Sequence, residues 1–292
     1  MPLTASQKQV FQVLAALRSA ESVVAGGIPV AREAARVSKD IDLFHGDVAN
    51  TQRASSADIS ALEKAGYSVS LDPDLEGRTP QFMRRAVVGE GADAVTLEWV
   101  TDADYRYFPA IPDPDFGMVI SPIDIGVQKV LTAVGRSEIR DIADLVHIAQ
   151  RYLPLGALVA AATAIDVGWP PEAILNEMSR NSKRPPEDYN SIPGLSRDEA
   201  IATVRTYREM LREAKEYVSA IPTAMLGRLF LENGVPVQPD VTRLPTYETH
   251  EPRRQGHWPV SHEIRSAMLQ DRDNLAWGGA PRNRHNTPNP ST

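Results

Sequence analysis

Two aspartates separated by one apolar residue form the pair with the clearest potential for chemistry in this sequence. They lie in the segment Asp40-Ile41-Asp42-Leu43-Phe44, which has the composition of a β-strand. Because side chains alternate between the faces of a strand, both carboxylates share one face while Ile41 and Leu43 turn toward the core. Neighbouring carboxylates raise each other's pKa, and a divalent cation relieves their repulsion. Hard oxygen ligands favour magnesium or manganese, although two ordinary acids on a solvent-facing strand give the same pattern.

A glycine pair, Gly26-Gly27, precedes these acids. It follows the apolar run Val23-Val24-Ala25 and comes before a predicted helix at residues 28–36. A turn of this kind lets backbone N–H groups approach a phosphate, helped by the N-terminus of the helix. Most glycine pairs are simply turns, but this one is followed by the acid pair. The spacing therefore predicts a phosphate site next to a metal site.

A third carboxylate is offered by Glu98, within Thr96-Leu97-Glu98-Trp99-Val100. In this apolar strand it would complete the metal shell or act as the general base for an attacking hydroxyl. The alternative is an exposed glutamate on an edge strand. Asp93 is a weaker candidate because Gly91-Ala92-Asp93 has the composition of a turn.

Charged residues also follow the apolar stripes of two predicted helices. Lys129 and Arg136 are seven residues apart and share one helix face, and Asp141 and Asp144 share a face of the next helix. These residues fit either a cationic site for phosphates or ordinary surface charge beside an apolar stripe.

Taken together, these motifs resemble the nucleotidyltransferase superfamily that includes DNA polymerase beta. That superfamily carries a hydrophobic residue with Gly-Gly or Gly-Ser, then Asp, a hydrophobic residue, and Asp or Glu. The closer resemblance is to AbiEii-type bacterial nucleotidyltransferases, whose motif Arg-x-Ser-x-Asp-Ile-Asp-Leu-Phe is matched by residues 36–44. A second block of the family, a helical lysine followed by Arg-Asp and a further Asp, is matched at Lys129, Arg140-Asp141 and Asp144. The resemblance covers residues 20–150, and it departs after Gly27, where Ile28-Pro29-Val30 replaces Thr-Ala-Leu.

The resemblance implies a magnesium- or manganese-dependent enzyme that transfers a nucleotide from an NTP, such as ATP, and releases pyrophosphate. The metal ligands would be Asp40, Asp42 and Glu98, and Lys129 would contact the triphosphate. The remaining nucleotide-binding candidates are Gly26, Gly27, Arg36, Ser38, Arg136, Asp141 and Asp144. Ser38 would bind a phosphate or simply secure the strand, and the two later aspartates would position either Lys129 or the acceptor.

The resemblance also implies that the acceptor is RNA, at the 3′ end of tRNA, and that the protein is the toxin of a toxin–antitoxin or phage-defence system with a cognate antitoxin. Basic residues that could contact RNA are Lys183-Arg184, Arg197, Arg205, Arg208, Arg212, Arg253-Arg254 and Arg282-Asn283-Arg284. A protein or small-molecule acceptor, and a non-catalytic nucleotide-binding relative, remain as alternatives. An RNA acceptor would be favoured if Arg136, Arg140 and the arginines at 205–212 lay around one cleft. A small closed pocket would favour a small molecule.

The elements that must position these residues indicate an α+β fold. A small mixed sheet forms the predicted core, 1–120, followed by an α-helical domain, 121–235, and an irregular or partly disordered extension, 236–292. Predicted helices lie at 5–20, 28–36, 56–64, 124–134, from 138, and at 155–166, 170–180, 196–219, 222–232 and 261–270. Ser56 or Asp58 would cap the third of these. Predicted strands lie at 23–25, 40–44, 67–71, 82–88 and 94–100.

Composition sets limits on the function. The chain has 292 residues, which favours two structural units or one with an extension. Its net charge of −7 excludes a global basic field for nucleic acid and leaves only local patches. The absence of cysteine excludes disulfides and thiolate metal sites. Without a run of about 18 apolar residues or a secretory signal, we expect a cytoplasmic protein with no membrane contact.

Overall fold

The helices and strands were taken from a computed structural model, which describes residues 3–34, 36–38, 40–76, 81–136, 138–183, 188 and 194–259. The helices are α1 Ala5–Leu14, α2 Ile28–Glu33, α3 Val48–Lys64, α4 Pro73–Glu76, α5 Pro122–Gly135, α6 Ile139–Arg151, α7 Leu155–Ile165, α8 Pro171–Asn181 and α9 Arg197–Ala220. The strands are β1 Ser22–Ala25, β2 Asp40–His45, β3 Val69–Leu71, β4 Met83–Val88, β5 Val95–Thr101, β6 Tyr105–Arg106, β7 Ile111–Asp113, β8 Gly117–Val119, β9 Leu229–Glu232, β10 Val235–Val237, β11 Glu248–His250 and β12 Arg253–Arg254.

A mixed seven-stranded sheet forms the first half, in the order β3-β4-β5-β2-β1-β8-β7. At its centre β2 pairs antiparallel with β1 and parallel with β5. Five helices, α5 to α9, follow the last strand of this sheet. The predicted α+β fold is therefore confirmed.

Side-chain alternation divides the two faces of the central strands. Ile41, Leu43, Leu97 and Trp99 are fully buried on the face covered by α1 and α3. The indole Nε1 of Trp99 donates to a carboxylate oxygen of Asp58 in α3 at 2.8 Å. The intervening residues of β2 and β5 must therefore project from the opposite face.

The N-terminal cap of α3 was predicted wrongly. The helix begins at Val48, and the carboxylate of Asp47 accepts from the N–H of Asn50 at 2.7 Å. Asp58 is buried inside the helix, where Arg18 and Trp99 both donate to it. Aspartate is a common helix cap, which is why the sequence suggested that the helix begins near Asp58. Its position inside the helix is explained by its tertiary partners, Arg18 and Trp99.

A buried aspartate joins the segment after β6 to the helices. The Asp124 carboxylate, at the start of α5, accepts from the backbone N–H groups of Tyr107 at 2.7 Å and Phe108 at 3.0 Å. The hydroxyl of Tyr107 donates in turn to the carbonyl of Ala161 in α7 at 2.8 Å. One hydrophobic cluster runs through both halves. The sheet and the helices therefore share one core.

The predicted helix at 222–232 is wrong. Gly227 has φ +75°, which ends helical structure, and residues 229–232 form β9. Asn233 and Gly234, with φ of 51° and 78°, make the turn that pairs β9 with β10. Asn-Gly between apolar segments is the strongest short hairpin signal, and it outweighs the helix propensity of the leucines.

The described part of the predicted irregular extension contains three short strands among turns. β10 and β11 flank β9, and β12 pairs with β6. The predicted helix at 261–270, like Arg184 and residues 282–284, lies outside the described residues. Among the described helices, none alone is long and apolar enough to cross a membrane, and α6 with α7 meets that test only as a pair bent by 111°.

Candidate functional site

The predicted carboxylates meet on the open face of the sheet. β2 and β5 run parallel with Asp42 opposite Glu98 and Asp40 opposite Thr96. These residues form one wall of a cleft of about 480 Å³, which we call the polar cleft. Its lining residues are Gly27, Arg36, Ser38, Asp40, Asp42, Met83, Arg85, Thr96, Glu98, Lys129, Arg136 and Arg140. Asp93 lies away from them, in the short 3₁₀ turn between β4 and β5.

The surroundings of Asp42 shift its pKa. Burial, followed by the negative charges of Glu98 and Asp40, raises the pKa of Asp42 to about 6, although Lys129 acts in the opposite direction. Neighbouring strands lie only about 4.8 Å apart, so the register forces two carboxylates together. A cation bound here would remove this repulsion.

The two glycines allow the carboxylate and a cation to approach the turn. Gly26 has φ +64°, and a Cβ at this position would lie 1.7 Å from Oδ2 of Asp42. A Cβ on Gly27 would lie 2.6 Å from an Nη of Arg36. The N–H of Gly27 is hydrogen-bonded to Asp42. The pair therefore brings the acid and the start of α2 into direct contact, which any larger residue would prevent.

Three cations, Arg36, Lys129 and Arg136, form a second wall of the cleft. Together with their partners Asp141 and Asp144 we call them the cation network. Arg36 makes a two-pronged contact with Asp144, with Nη2 2.6 Å from Oδ2. Lys129 Nζ lies 2.8 Å from both Asp141 and Asp144, and Arg136 Nε donates to Asp141 at 3.0 Å. The network thus joins α5, whose lysine and following arginine are positive, to the two aspartates of α6 and to Arg36 before β2.

Each cation of this network stays charged. Burial opposes the charge on Lys129, but Asp144 and Asp141 together raise its pKa above the ordinary value. Arg36 follows the same pattern, with Asp144 as its main partner. The pKa of Asp141 is lowered, because Lys129 and Arg136 outweigh its burial. The network holds three fixed positive charges against two negative ones, beside the acids of the sheet.

Two more arginines hold the acids from outside. Arg85 on β4 donates from Nε to Glu98 at 2.8 Å, and Arg140 Nη1 lies 3.4 Å from Asp40. Sequence reasoning missed Arg85. The signal was the β4–β5 hairpin, whose register sets Arg85 opposite Glu98 and follows from the turn that joins Val88 to Val95. Counting outward from that turn would have identified it.

The remaining predicted residues divide into two groups. Ser38 is buried in the polar cleft, and its hydroxyl lies 3.4 Å from the carbonyl of Asp40. The α9 arginines lie elsewhere, since Arg212 pairs with Glu209 and Glu216 on the exposed side of the helix. Of the arginines expected around one cleft, Arg136 and Arg140 are therefore the two that line it.

The oxygen-rich wall suits a hard cation. Across the described part of the chain, no three His, Cys, Asp or Glu side chains already stand as ligands of one ion. Glu98 and Asp40 instead face Arg85 and Arg140. Burial first, and then the charges of Glu98 and Asp40, raise the pKa of Asp42, and magnesium or manganese would neutralise those charges. The donor set therefore fits such an ion after small side-chain movements.

Comparison with protein families gives a match over most of the chain. Residues 28–225 match the family model described as nucleotidyl transferase AbiEii toxin, type IV toxin–antitoxin system. The matched range includes the acids and the cation network, and it begins immediately after the glycine pair. No curated protein matches the chain. Among solved structures, the nucleotidyltransferase toxin MenT4 from Mycobacterium tuberculosis H37Rv is 14% identical, with 73% of this chain and 85% of that chain covered and a TM-score of 0.44.

The family match spans more than half of the chain. The protein belongs to the AbiEii family of nucleotidyltransferase toxins of type IV toxin–antitoxin systems.

Proposed function

We propose that this nucleotidyltransferase uses magnesium or manganese to transfer a nucleotide from an NTP to RNA, at the 3′ end of tRNA, and that a cognate antitoxin controls it. The single observation that carries the proposal is that Asp42 and Glu98, in register, meet the cation network across one cleft. An acidic wall and a cationic wall are the two parts that phosphoryl chemistry requires.

In the proposed reaction the acceptor hydroxyl oxygen attacks the α-phosphorus of the NTP. A new P–O bond forms as the bond between the α- and β-phosphates breaks, and pyrophosphate leaves. Glu98 accepts the hydroxyl proton, and Arg85 holds its carboxylate toward the cleft. Held by Asp40, Asp42 and Glu98, the metal would supply positive charge to the reacting oxygens.

The cation network would bind the triphosphate. Lys129 and Arg36 are buried and fixed by Asp141 and Asp144, so they need little reorganisation when negative charge develops on the phosphates. Asp141 and Asp144 would act as positioning residues, because both carboxylates contact cations rather than open solvent. Gly27 and Ser38 would complete the phosphate site at the start of α2.

Two further cations support a nucleic-acid acceptor. The side chains of Arg85 and Arg140 are 41% and 37% exposed, at the mouth of the polar cleft and beyond the buried cations. Exposed arginines there can contact the phosphates of an RNA end while the buried ones hold the NTP. A protein or a small molecule is the alternative acceptor, and it requires no such phosphate contact.

The test is a transfer assay with purified protein. Magnesium, each labelled NTP in turn and total RNA are incubated with the wild type, with the double variant Asp40→Ala, Asp42→Ala, and with Asp93→Asn as an exposed acidic control. We expect label on small RNA with the wild type and the control, and none with the double variant.

Label that stays absent from RNA with every NTP would refute the RNA acceptor. The same reaction in cell lysate then identifies a labelled protein or small molecule instead. Transfer that is undiminished after metal chelation would refute the metal requirement.

A further inference from the structure

A second cavity, of about 370 Å³, adjoins the polar cleft. The two share Asp42, Glu98, Lys129 and Arg136, but the rest of the second lining differs in character. We call it the apolar cavity, after its lining of Phe44, Val100, Tyr105, Ile125, Leu131 and Ile165. Asp42 and Glu98 therefore lie at the boundary between the polar cleft and the apolar cavity.

Strand alternation produces this gradient. Asp40, Asp42 and Phe44 are successive side chains on one face of β2, and Val100 lies opposite Phe44 on β5. The groove thus runs along the strands from a charged end to an apolar end. Four residues of strand span about 13 Å, which is comparable to an extended nucleoside triphosphate. Arg36 and Arg140 line only the charged end.

The apolar cavity also holds an aromatic face and polar groups. The side chain of Tyr105 is 43% exposed at its edge, which leaves the ring available for stacking. Gln128 Nε2 lies 3.5 Å from Oδ2 of Asp102, and the backbone N–H of Asp102 donates to the carbonyl of His45 at 2.8 Å. A stacking ring, an apolar floor and a carboxylate–amide pair are what the recognition of a nucleobase requires.

We infer that the apolar cavity binds the nucleobase of the NTP, with Asp102 and Gln128 at the edge of the base, and this inference rests on the proposed function. The reacting α-phosphate must lie at the acids, where the two spaces meet. The β- and γ-phosphates belong on the side that Gly27 and Arg36 line, which the apolar cavity does not share, so the ribose and base extend to the other side. The terminal base of an RNA acceptor has the same chemistry and is the competing occupant.

Binding in the absence of acceptor separates base contacts from phosphate contacts. With magnesium present, the four NTPs and inorganic tripolyphosphate are each titrated calorimetrically into wild type, Tyr105→Ala, Asp102→Asn and the control Val87→Ala. Val87 is 41% exposed and lies on β4, away from both spaces. We expect Tyr105→Ala to weaken NTP binding about tenfold through lost stacking, with tripolyphosphate and the control unchanged. Asp102→Asn replaces an acceptor with an amide and should change the order of affinity among the four NTPs.

Three results would overturn the inference. The first is wild-type protein that binds tripolyphosphate as tightly as every NTP. The second is a variant that loses tripolyphosphate and NTP affinity equally. The third is unchanged NTP affinity in both variants, and a raised KM for RNA in the transfer assay would then assign the cavity to the acceptor. Base-dependent NTP binding without any transfer to RNA would instead contradict the proposed function alone.

Discussion

The polar cleft has two walls that differ in how their charges are balanced. The sheet wall carries Asp40, Asp42 and Glu98, and the helical wall carries the cation network. On the helical wall, positive and negative side chains alternate, and Asp144 contacts both Arg36 and Lys129. On the sheet wall, burial and then the like charges of Glu98 and Asp40 raise the pKa of Asp42 to about 6. The charges of the helical wall are paired within the folded protein. The like charges of the sheet wall repel each other, and a bound cation would remove this repulsion. In the proposed function, the helical wall would bind the phosphates and the sheet wall would bind the metal.

The largest expected effect comes from breaking the helical wall. Asp144→Asn leaves two buried cations short of a partner, so we expect the free energy of unfolding to fall by about 3 kcal/mol in urea denaturation. The matched control is Glu216→Gln, which removes an exposed partner of Arg212 and should cost under about 1 kcal/mol. Equal losses in the two variants would show that the network contributes nothing beyond surface pairing.

The next effect tests the contact between the walls and the glycine turn. Gly26→Ala adds a Cβ that collides with Asp42, whereas Gly91→Ala meets nothing within 4 Å, and both glycines have positive φ. Each variant pays about 1–2 kcal/mol for the left-handed backbone. Only Gly26→Ala should also displace Asp42, lowering transfer about a hundredfold. Comparable activity of the two variants in the transfer assay would exclude a role for this close approach.

The pH dependence of transfer reports on the sheet wall. Asp42 must be ionised to hold a metal, and its pKa is about 6. At limiting magnesium, kcat/KM should therefore fall about tenfold per pH unit below about pH 6. More magnesium competes with the proton and should move this limb to lower pH. A limb that does not respond to magnesium would assign the titration to another group.

The smallest effect concerns the mouth of the cleft. Arg85→Gln removes an exposed partner of Glu98, so stability should change by less than about 1 kcal/mol. The KM for RNA should rise about fivefold, and its salt dependence should weaken by about one counterion, as for a phosphate contact. Arg53→Gln, on the exposed side of α3, serves as the control. An unchanged salt dependence would remove Arg85 from the RNA site.

Local spacing predicted much of this arrangement. Asp40 and Asp42 share a face because strands alternate, and the helical positions of Lys129, Asp141 and Asp144 follow from periodicity. The bond between Arg36 and Asp144 joins residues 108 positions apart, so no local pattern could identify Arg36 as the partner of Asp144. The Arg85–Glu98 pair and the β9–β10 hairpin depend on register, and their turn signals were present in the sequence but were not used.

The most direct test of the contrast between the walls is the stability of Asp42→Asn. In the folded protein the pKa of Asp42, about 6, lies above its unfolded value of 3.8. Its stabilising contribution is therefore present in acid, below about pH 3.8, and is lost as the pH rises through 6. At pH 8, without metal, Asp42→Asn should be more stable than the wild type by about 1–3 kcal/mol, with a smaller difference near pH 4, while Asp144→Asn is less stable. A loss of stability at pH 8 in both variants would contradict the account, because it would mean that the sheet wall is as well compensated as the helical one.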